Sequence, residues 1–448
     1  MTTKLNKRKV YEANPCSLLN YNRLDLAFKL CYLSLKNNYP EYAIKIYKKH
    51  LKIFTSGTFS ESNSNKRGFR DYLEEFNRLF ESISSNGFEI NQSVIPLSKD
   101  KTLTQGSHRT SICIFLDKKI FVKNTILPST KYGYNFFKER GLDSIYIDQA
   151  VKKYLEYSNK TYLAIIWPSA NKKVNVFKTI KNIVYHKKFK LTPIGAHNFI
   201  TQTYKSFEWV GNFKDGYGGA YKKLSECFNS FDKVNAIYFD ENSIDNVLSI
   251  KKYLRGVYGI EKSSIHITDN TQEAYDLSQY ILNNNSLDFL NYAKPYKSVK
   301  FNEQIFKFKK ENADINDFLF IGNSVLASFG ELDEENLDYI DLKRIDLMEN
   351  KQFLLDLFYN PEKHYYYNDL KFVKITYLNK IDHLSKSNLN DRVLEKLINN
   401  VRSKNYFLNS FNAIRFKFIG MLIPLTIKFG IYNFAKNIYK ILNNKWKK

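Results

Sequence analysis

The stretch Ser93-Val94-Ile95-Pro96-Leu97, followed after a short connection by Thr104-Gln105-Gly106-Ser107-His108-Arg109-Thr110 and the apolar run Ile112 to Leu116, decides how the fold begins. It reads as a strand, a tight turn and a helix. Glycine at 106 lets the backbone approach a ligand closely. The main-chain N–H groups at the start of the following helix would point at an anion. Ser107 adds a hydroxyl donor, Arg109 a planar two-pronged grip on phosphate, and His108 a ring that hydrogen-bonds phosphate or orients a neighbour. The expectation is a phosphate- or nucleotide-binding loop at Gly106, Ser107, His108 and Arg109.

Working outward, residues 20–54 read as helix, with Leu24, Ala27, Phe28, Cys31 and Leu35 at helical spacing and Ala43, Ile46, Tyr47 and Leu51 continuing it. Thr55 to Lys66 is a Ser/Asn/Gly-rich loop, and Phe69 to Ile83 an amphipathic helix stopped by Gly87. Arg23, Asp25, Lys29 and Tyr32 fall on one helical stretch, and Tyr47 and His50 are three apart on the next. Arg23 and Lys29 are expected to be solvated helix charges, since such residues are rarely buried. His50 is expected at the surface or as a cap. Glu61 is the candidate base for a substrate hydroxyl, Lys66 a further phosphate contact, and His108 a second catalytic candidate.

The run Val94-Ile95-Pro96 … Thr104-Gln105-Gly106-Ser107-His108-Arg109-Thr110 resembles the Asp-Gly-x-His-Arg loop of the ParB/sulfiredoxin superfamily, over roughly residues 85–125. In partition nucleotidases, sulfiredoxins and ADP-dependent free serine kinases that loop holds nucleotide phosphates or the phosphoryl group in flight. The resemblance implies ATP or ADP as cofactor, with Mg²⁺. Gln105 stands where the superfamily has an acid that assists metal binding or catalysis. Phosphate binding is therefore expected to outlast turnover.

Downstream, Tyr162 to Trp167 stopped by Pro168, Ala236 to Phe239, and Ser264 to Thr268 read as strands of a second α/β unit, with Asp269 to Thr271 capping a helix through Leu282. Asn283 to Ser286 reads as a turn. Residues 193–222 gather Gly195, His197, Glu208, Trp209, Gly211, Gly216, Gly218, Gly219 and Lys222, which suits either a ligand-shaped loop or an ordinary hairpin. Lys251, Lys252 and Arg255 precede His266, Thr268, Asp269 and Thr271, at a strand-to-helix crossover of the kind that carries ligands in α/β sheets.

A third unit starts near Phe301. Phe318 to Ile321, Tyr339 to Leu342 and Phe372 to Ile375 read as strands. The run Phe320-Ile321-Gly322-Asn323-Ser324 … Asn336-Leu337-Asp338-Tyr339 resembles the polymerase-β-type nucleotidyltransferases, whose paired carboxylates hold Mg²⁺. Gly322, Ser324 and Asp338 are the second candidate site. Asn336 replaces the first carboxylate, so the resemblance implies lost two-metal catalysis. Gly87-Phe88, the Gly106 loop, Ile265 to Asp269, Asn285-Ser286 and Tyr365 to Asn368 … Lys371 to Val373 together resemble an uncharacterised group of proteins encoded among bacterial capsule and lipopolysaccharide genes. That implies a role in surface-polysaccharide assembly.

The expected architecture is a multidomain α/β (α+β) chain: a ParB/sulfiredoxin-like domain at 1–150, an α/β domain at 151–300, a nucleotidyltransferase-like domain at 301–410 and a basic amphipathic helix at 411–448. In the tail, Ile414, Phe418, Leu422, Leu425 and Phe429 recur at three- and four-residue steps among Lys and Arg, a pattern suited to an anionic membrane surface or to packing on the domain. The chain has 448 residues, 69 basic against 45 acidic side chains and a net charge of +24. That surplus favours anionic partners and equally describes a Lys-rich solvated surface. The four cysteines, Cys16, Cys31, Cys113 and Cys227, lie far apart with no CxxC pair, so neither a zinc site nor a disulfide framework is suggested. No apolar leader and no run of about 20 apolar residues is present. A cytoplasmic setting, peripheral at the inner face of the membrane, is expected. No helix-turn-helix with a basic recognition helix is found, so nucleic-acid binding in the manner of ParB is the weaker alternative. The expected function is nucleotide or phosphate binding in polysaccharide biosynthesis, with phosphotransfer to a small hydroxyl substrate. A catalytically inactive scaffold is the further alternative.

Overall fold

The structure, a computed structural model, describes residues 10–60, 66–90, 93–231, 233–385, 389 and 391–403. It is a mixed α/β protein with three small sheets among the described residues, each built from its own stretch of sequence. The first sheet has the order β1-β3-β2, with β1 (Val10–Ala13) antiparallel and β2 (Ile95–Leu97) parallel to the central β3 (Ile120–Asn124). Four helices accompany it: α1 (Leu24–Leu35), α2 (Pro40–Phe54), α3 (Phe69–Asn86) and α4 (Ser107–Phe115). The helix expected over 20–54 is two helices. Pro40 at the start of α2 holds Tyr39 out of the helical region, at φ −144°, and the chain turns there. α1 is buried from Leu24 to Leu33 because α2, α4 and the helix Ser144–Tyr157 all pack on it. Gly87 ends α3 at φ +75°, as its sequence suggests.

The middle sheet has the order β5-β6-β4-β7 and is antiparallel throughout: β4 (Thr161–Ile166), β5 (Ile183–Lys190), β6 (Lys233–Asp240) and β7 (Ile265–Ile267). The crossover rule for ligands in parallel sheets therefore does not apply to Thr268-Asp269, contrary to the sequence reading. All of β4 is buried, with Leu163 and Ile165 in the main core and Tyr162, Ala164 and Ile166 in a smaller core on the other face. Asn283 to Ser286, expected as a turn, is a helix start: the Asn283 side chain accepts from Ser286 N at 2.9 Å and the helix Asn284–Tyr292 follows.

The third sheet has the order β10-β11-β8-β9, from β8 (Phe318–Phe320), β9 (Tyr339–Asp341), β10 (His364–Tyr367) and β11 (Leu370–Val373). β8 runs parallel to β11 and antiparallel to β9. Asn368 and Asp369, both at positive φ, make the tight turn of the β10–β11 hairpin. One hydrophobic core runs through all three sheets. Asp240 at the end of β6 ties the first two together, accepting from Tyr21 N at 3.1 Å, the Tyr154 hydroxyl at 2.6 Å and the Thr161 hydroxyl at 2.7 Å. No helix among the described residues is long and apolar enough to cross a membrane, and the tail at 411–448 lies outside them.

Candidate functional site at the Gly106 loop

β2 leads into a loop that folds back on it: Thr104 N donates to Pro96 O at 3.1 Å, and Asp100 is occupied within the turn by Ser98 and Thr102. Gly106 then sits at φ +83°, ψ 27°, as the residue before α4. A Cβ there would lie 2.4 Å from Ile95 Cδ1 and 3.2 Å from Arg109 Nη2. Only glycine meets both the backbone and the packing requirement. Ser107, His108 and Arg109 form the first turn of α4, closed by Thr110 N donating to Gly106 O at 2.9 Å. Ser107 and Arg109 are half-buried and pair with nothing among the described residues. The Arg109 guanidinium is folded back over the loop, and burial pulls its pKa down while leaving it charged.

His108 points inward. Its Nε2 lies 2.7 Å from the Tyr47 hydroxyl and its ring 4.7 Å from Phe76. Burial holds its pKa well below the usual histidine range, with Lys29 and Lys66 acting the same way, so the ring is neutral at pH 7. Lys66 lies over the Tyr72 ring at 4.7 Å, on the same side of the unit. Glu61, the expected base, lies outside the described residues.

Beneath the loop is a group whose burial the sequence reading missed. Arg23, Asp25 and Lys29, expected in part as solvated charges, are at most 2% exposed. Arg23 Nε and Nη2 grip the two Asp25 oxygens at 2.7 and 2.8 Å, and Lys29 Nζ is 3.3 Å from Oδ2. Burial pushes the Asp25 carboxyl up, but Arg23 and Lys29 outweigh it and hold it well below the usual carboxylate range. Arg23 Nη1 also donates to Leu103 O, so the buried pair fixes the loop that delivers Gly106. His50, expected at the surface, is fully buried and stacked on Phe28 at 5.0 Å. Neither of its ring nitrogens has a hydrogen-bond partner among the described residues, and burial, then Lys29, keep it neutral. Side chains from α1, α2, α4 and the loop before α3 thus converge on one place.

Among the described residues no carboxylate beside this loop is free to hold a metal. Gln105 is exposed, and the carboxylates nearby, Asp25 and Asp100, are saturated by their own partners. Among the described residues no group of three or more His, Cys, Asp or Glu could hold a metal ion.

The second candidate site is closed on itself. Asp338 is 1% exposed, and its Oδ2 accepts from Asn323 N at 3.2 Å and from the Ser385 hydroxyl at 2.9 Å. The Ser324 hydroxyl accepts from Asp338 N at 2.7 Å. Gly322, at φ +52°, has Ser385 Oγ 2.2 Å and Asp338 Oδ2 2.9 Å from where its Cβ would be. The space a phosphate would need is filled by these side chains. Asn336 is exposed, and Asp341 caps the 3₁₀ helix that follows it.

No family model matches the chain, and no curated protein and no solved structure matches it either.

Proposed function

We propose that the first unit is a ParB/sulfiredoxin-like domain that holds a nucleotide, ADP or ATP, or a phosphorylated metabolite by its phosphate at Gly106, Ser107 and Arg109. The observation that carries this is the pairing of two unpartnered donors, Ser107 and Arg109, with a left-handed glycine at the start of a nine-residue helix. Donors arranged in this way suit an oxyanion. In the phosphotransfer this reading implies, an acceptor hydroxyl oxygen bonds to phosphorus as the bond to the nucleotide's bridging oxygen breaks. The hydroxyl proton passes to a base, Glu61 in the sequence reading. Neutral His108, held by Tyr47, orients the loop or relays that proton.

With Gln105 in the acid's place and no free carboxylate beside the loop among the described residues, Mg²⁺ would arrive with the nucleotide, and turnover is slow. The third unit is then a nucleotidyltransferase-like module without activity, which the engagement of Asp338 as a cap supports. The sequence resemblance to capsule and lipopolysaccharide gene products supports surface-polysaccharide assembly as the setting. The basic segment 411–448 supports contact with an anionic membrane from the cytoplasmic side. A second reading, a binding protein with no turnover, is favoured by Gln105 and Asp338 together. Titration of the chain with ADP and orthophosphate by calorimetry tests binding, and phosphate release from ATP distinguishes slow turnover from none.

A further inference from the structure

The two sequence clusters in the middle unit, 193–222 and 251–269, meet around a single cavity of about 720 Å³. Five cations line it, Lys222, Lys223, Lys251, Arg255 and Lys262, beside two carboxylates, Glu226 and Asp269. Lys251 is held by Asp269 at 2.7 Å, whereas Lys222, Arg255 and Lys262 pair with no carboxylate among the described residues. Arg255 Nε is buried without a hydrogen-bond partner among the described residues. The same lining carries aromatic side chains. Phe207 and Trp209 are 47% and 46% exposed, and Trp209 leans on Tyr204 at 5.3 Å, which in turn meets the His266 ring edge at 5.2 Å.

The arrangement is built rather than incidental. His266 Nε2 is fixed by Glu273 at 2.9 Å, whose other oxygen accepts from Asp269 N at 2.7 Å. Gly219 is demanded by the backbone: a Cβ there would lie 1.7 Å from Trp209 O. That close approach is what brings the Trp209 segment beside the ten-residue helix Gly218–Cys227, whose first turn faces the cavity.

We infer that this cavity binds a nucleoside diphosphate, with its base against Trp209 and Phe207 and its phosphates between Lys222, Arg255 and the start of the Gly218–Cys227 helix. A volume of this size is in the range of small-ligand sites. Half-exposed aromatic faces are costly to leave wet and are the usual platform for a flat base. Lys222 and Arg255 in the same lining supply the phosphate grip. The site lies outside the Gly106 loop and does not depend on the function proposed for it.

Calorimetry with ADP, UDP and inorganic pyrophosphate tests this, run on the full chain and on Arg109→Ala, which disables the Gly106 loop. In the Arg109→Ala background, where the Gly106 loop does not contribute, a nucleoside diphosphate should bind at least about tenfold more tightly than pyrophosphate. Trp209→Ala should remove that preference while leaving pyrophosphate within about twofold. Lys222→Glu, on an exposed side chain that the fold does not need, should weaken both ligands about tenfold or more, and Arg255→Ala should do the same. Nucleotide binding unchanged by Lys222→Glu in the Arg109→Ala background overturns the proposal. So does equal affinity for pyrophosphate and nucleotide, which would leave an anion site only. A single-stranded oligonucleotide that outcompetes the nucleotides and is lost in Trp209→Ala overturns it in favour of nucleic acid.

Discussion

The Tyr47 hydroxyl stands 2.7 Å from Nε2 of His108, and this contact joins α2 to the first turn of α4 directly beneath the Gly106 loop. Desolvation of the half-buried His108 ring holds its pKa well below the usual histidine range, so the pair is an uncharged hydrogen bond. Tyr47→Phe should therefore cost about 1–3 kcal/mol of stability, the price of leaving a buried partner unsatisfied. It should also weaken phosphate binding by displacing the loop. Denaturant unfolding and ligand titration of the variant measure the two effects. A variant as stable as the parent would show that the contact does not hold the loop.

Asp25 neutralises two buried cations. Asp25→Asn leaves Arg23 and Lys29 without their carboxylate and should cost about 3–5 kcal/mol near pH 7. The folded pKa of Asp25 is depressed, so its contribution is present above the unfolded value, about 4, and is lost as pH falls toward the folded one. The gap between parent and variant should therefore narrow below about pH 4. Unfolding midpoints from pH 3 to 7 check it, and a gap independent of pH would contradict it.

The buried histidines set a second pH window. His50, His108 and His364 are held well below the normal histidine range by burial, and His197 is lowered to about 4. The unfolded chain takes up protons at these rings near pH 6.5, while the folded chain does not. Stability should fall as pH drops below about 6.5. His50→Phe, which keeps the stack on Phe28, should flatten that slope. An unchanged slope between pH 6.5 and 5 would show that His50 is not buried as a neutral ring.

Gln105 is exposed at the end of the loop, where the resemblance predicts an acid. Gln105→Asp should raise Mg²⁺-dependent phosphate release from ATP above a slow parent rate. A fast parent unaffected by Gln105→Ala would place catalysis elsewhere.

The Gly106 turn was legible in the sequence because its chemistry is local: a strand, a left-handed glycine and a helix start within a few residues. The burial of Arg23, Lys29 and His50 was not, because it depends on α2, α4 and the Ser144–Tyr157 helix closing over α1. Charged residues on a helix look solvated until their carboxylate partner is seen to be enclosed with them. β5 escaped notice because Tyr185, His186, Lys187 and Lys188 carry no clean alternation of apolar and polar residues. β10 is four consecutive buried residues, three of them tyrosines, and shows no period at all. The Trp209 cavity was visible only as two separate clusters, since their meeting requires the fold.

The most direct test of the phosphate loop is calorimetric titration of ADP and orthophosphate into the parent chain and into Arg109→Ala. Arg109 has no competing partner among the described residues, so its removal should cost about 1.5–3 kcal/mol of binding, roughly a 10- to 150-fold loss in affinity. The Trp209 cavity remains intact in that variant, so Lys222→Glu is included in both proteins to separate the two sites. Loss of the orthophosphate signal in Arg109→Ala, with the melting temperature unchanged, is the expected result. Equal orthophosphate affinity in the folded variant and the parent would contradict the assignment of Gly106, Ser107 and Arg109 as a phosphate site.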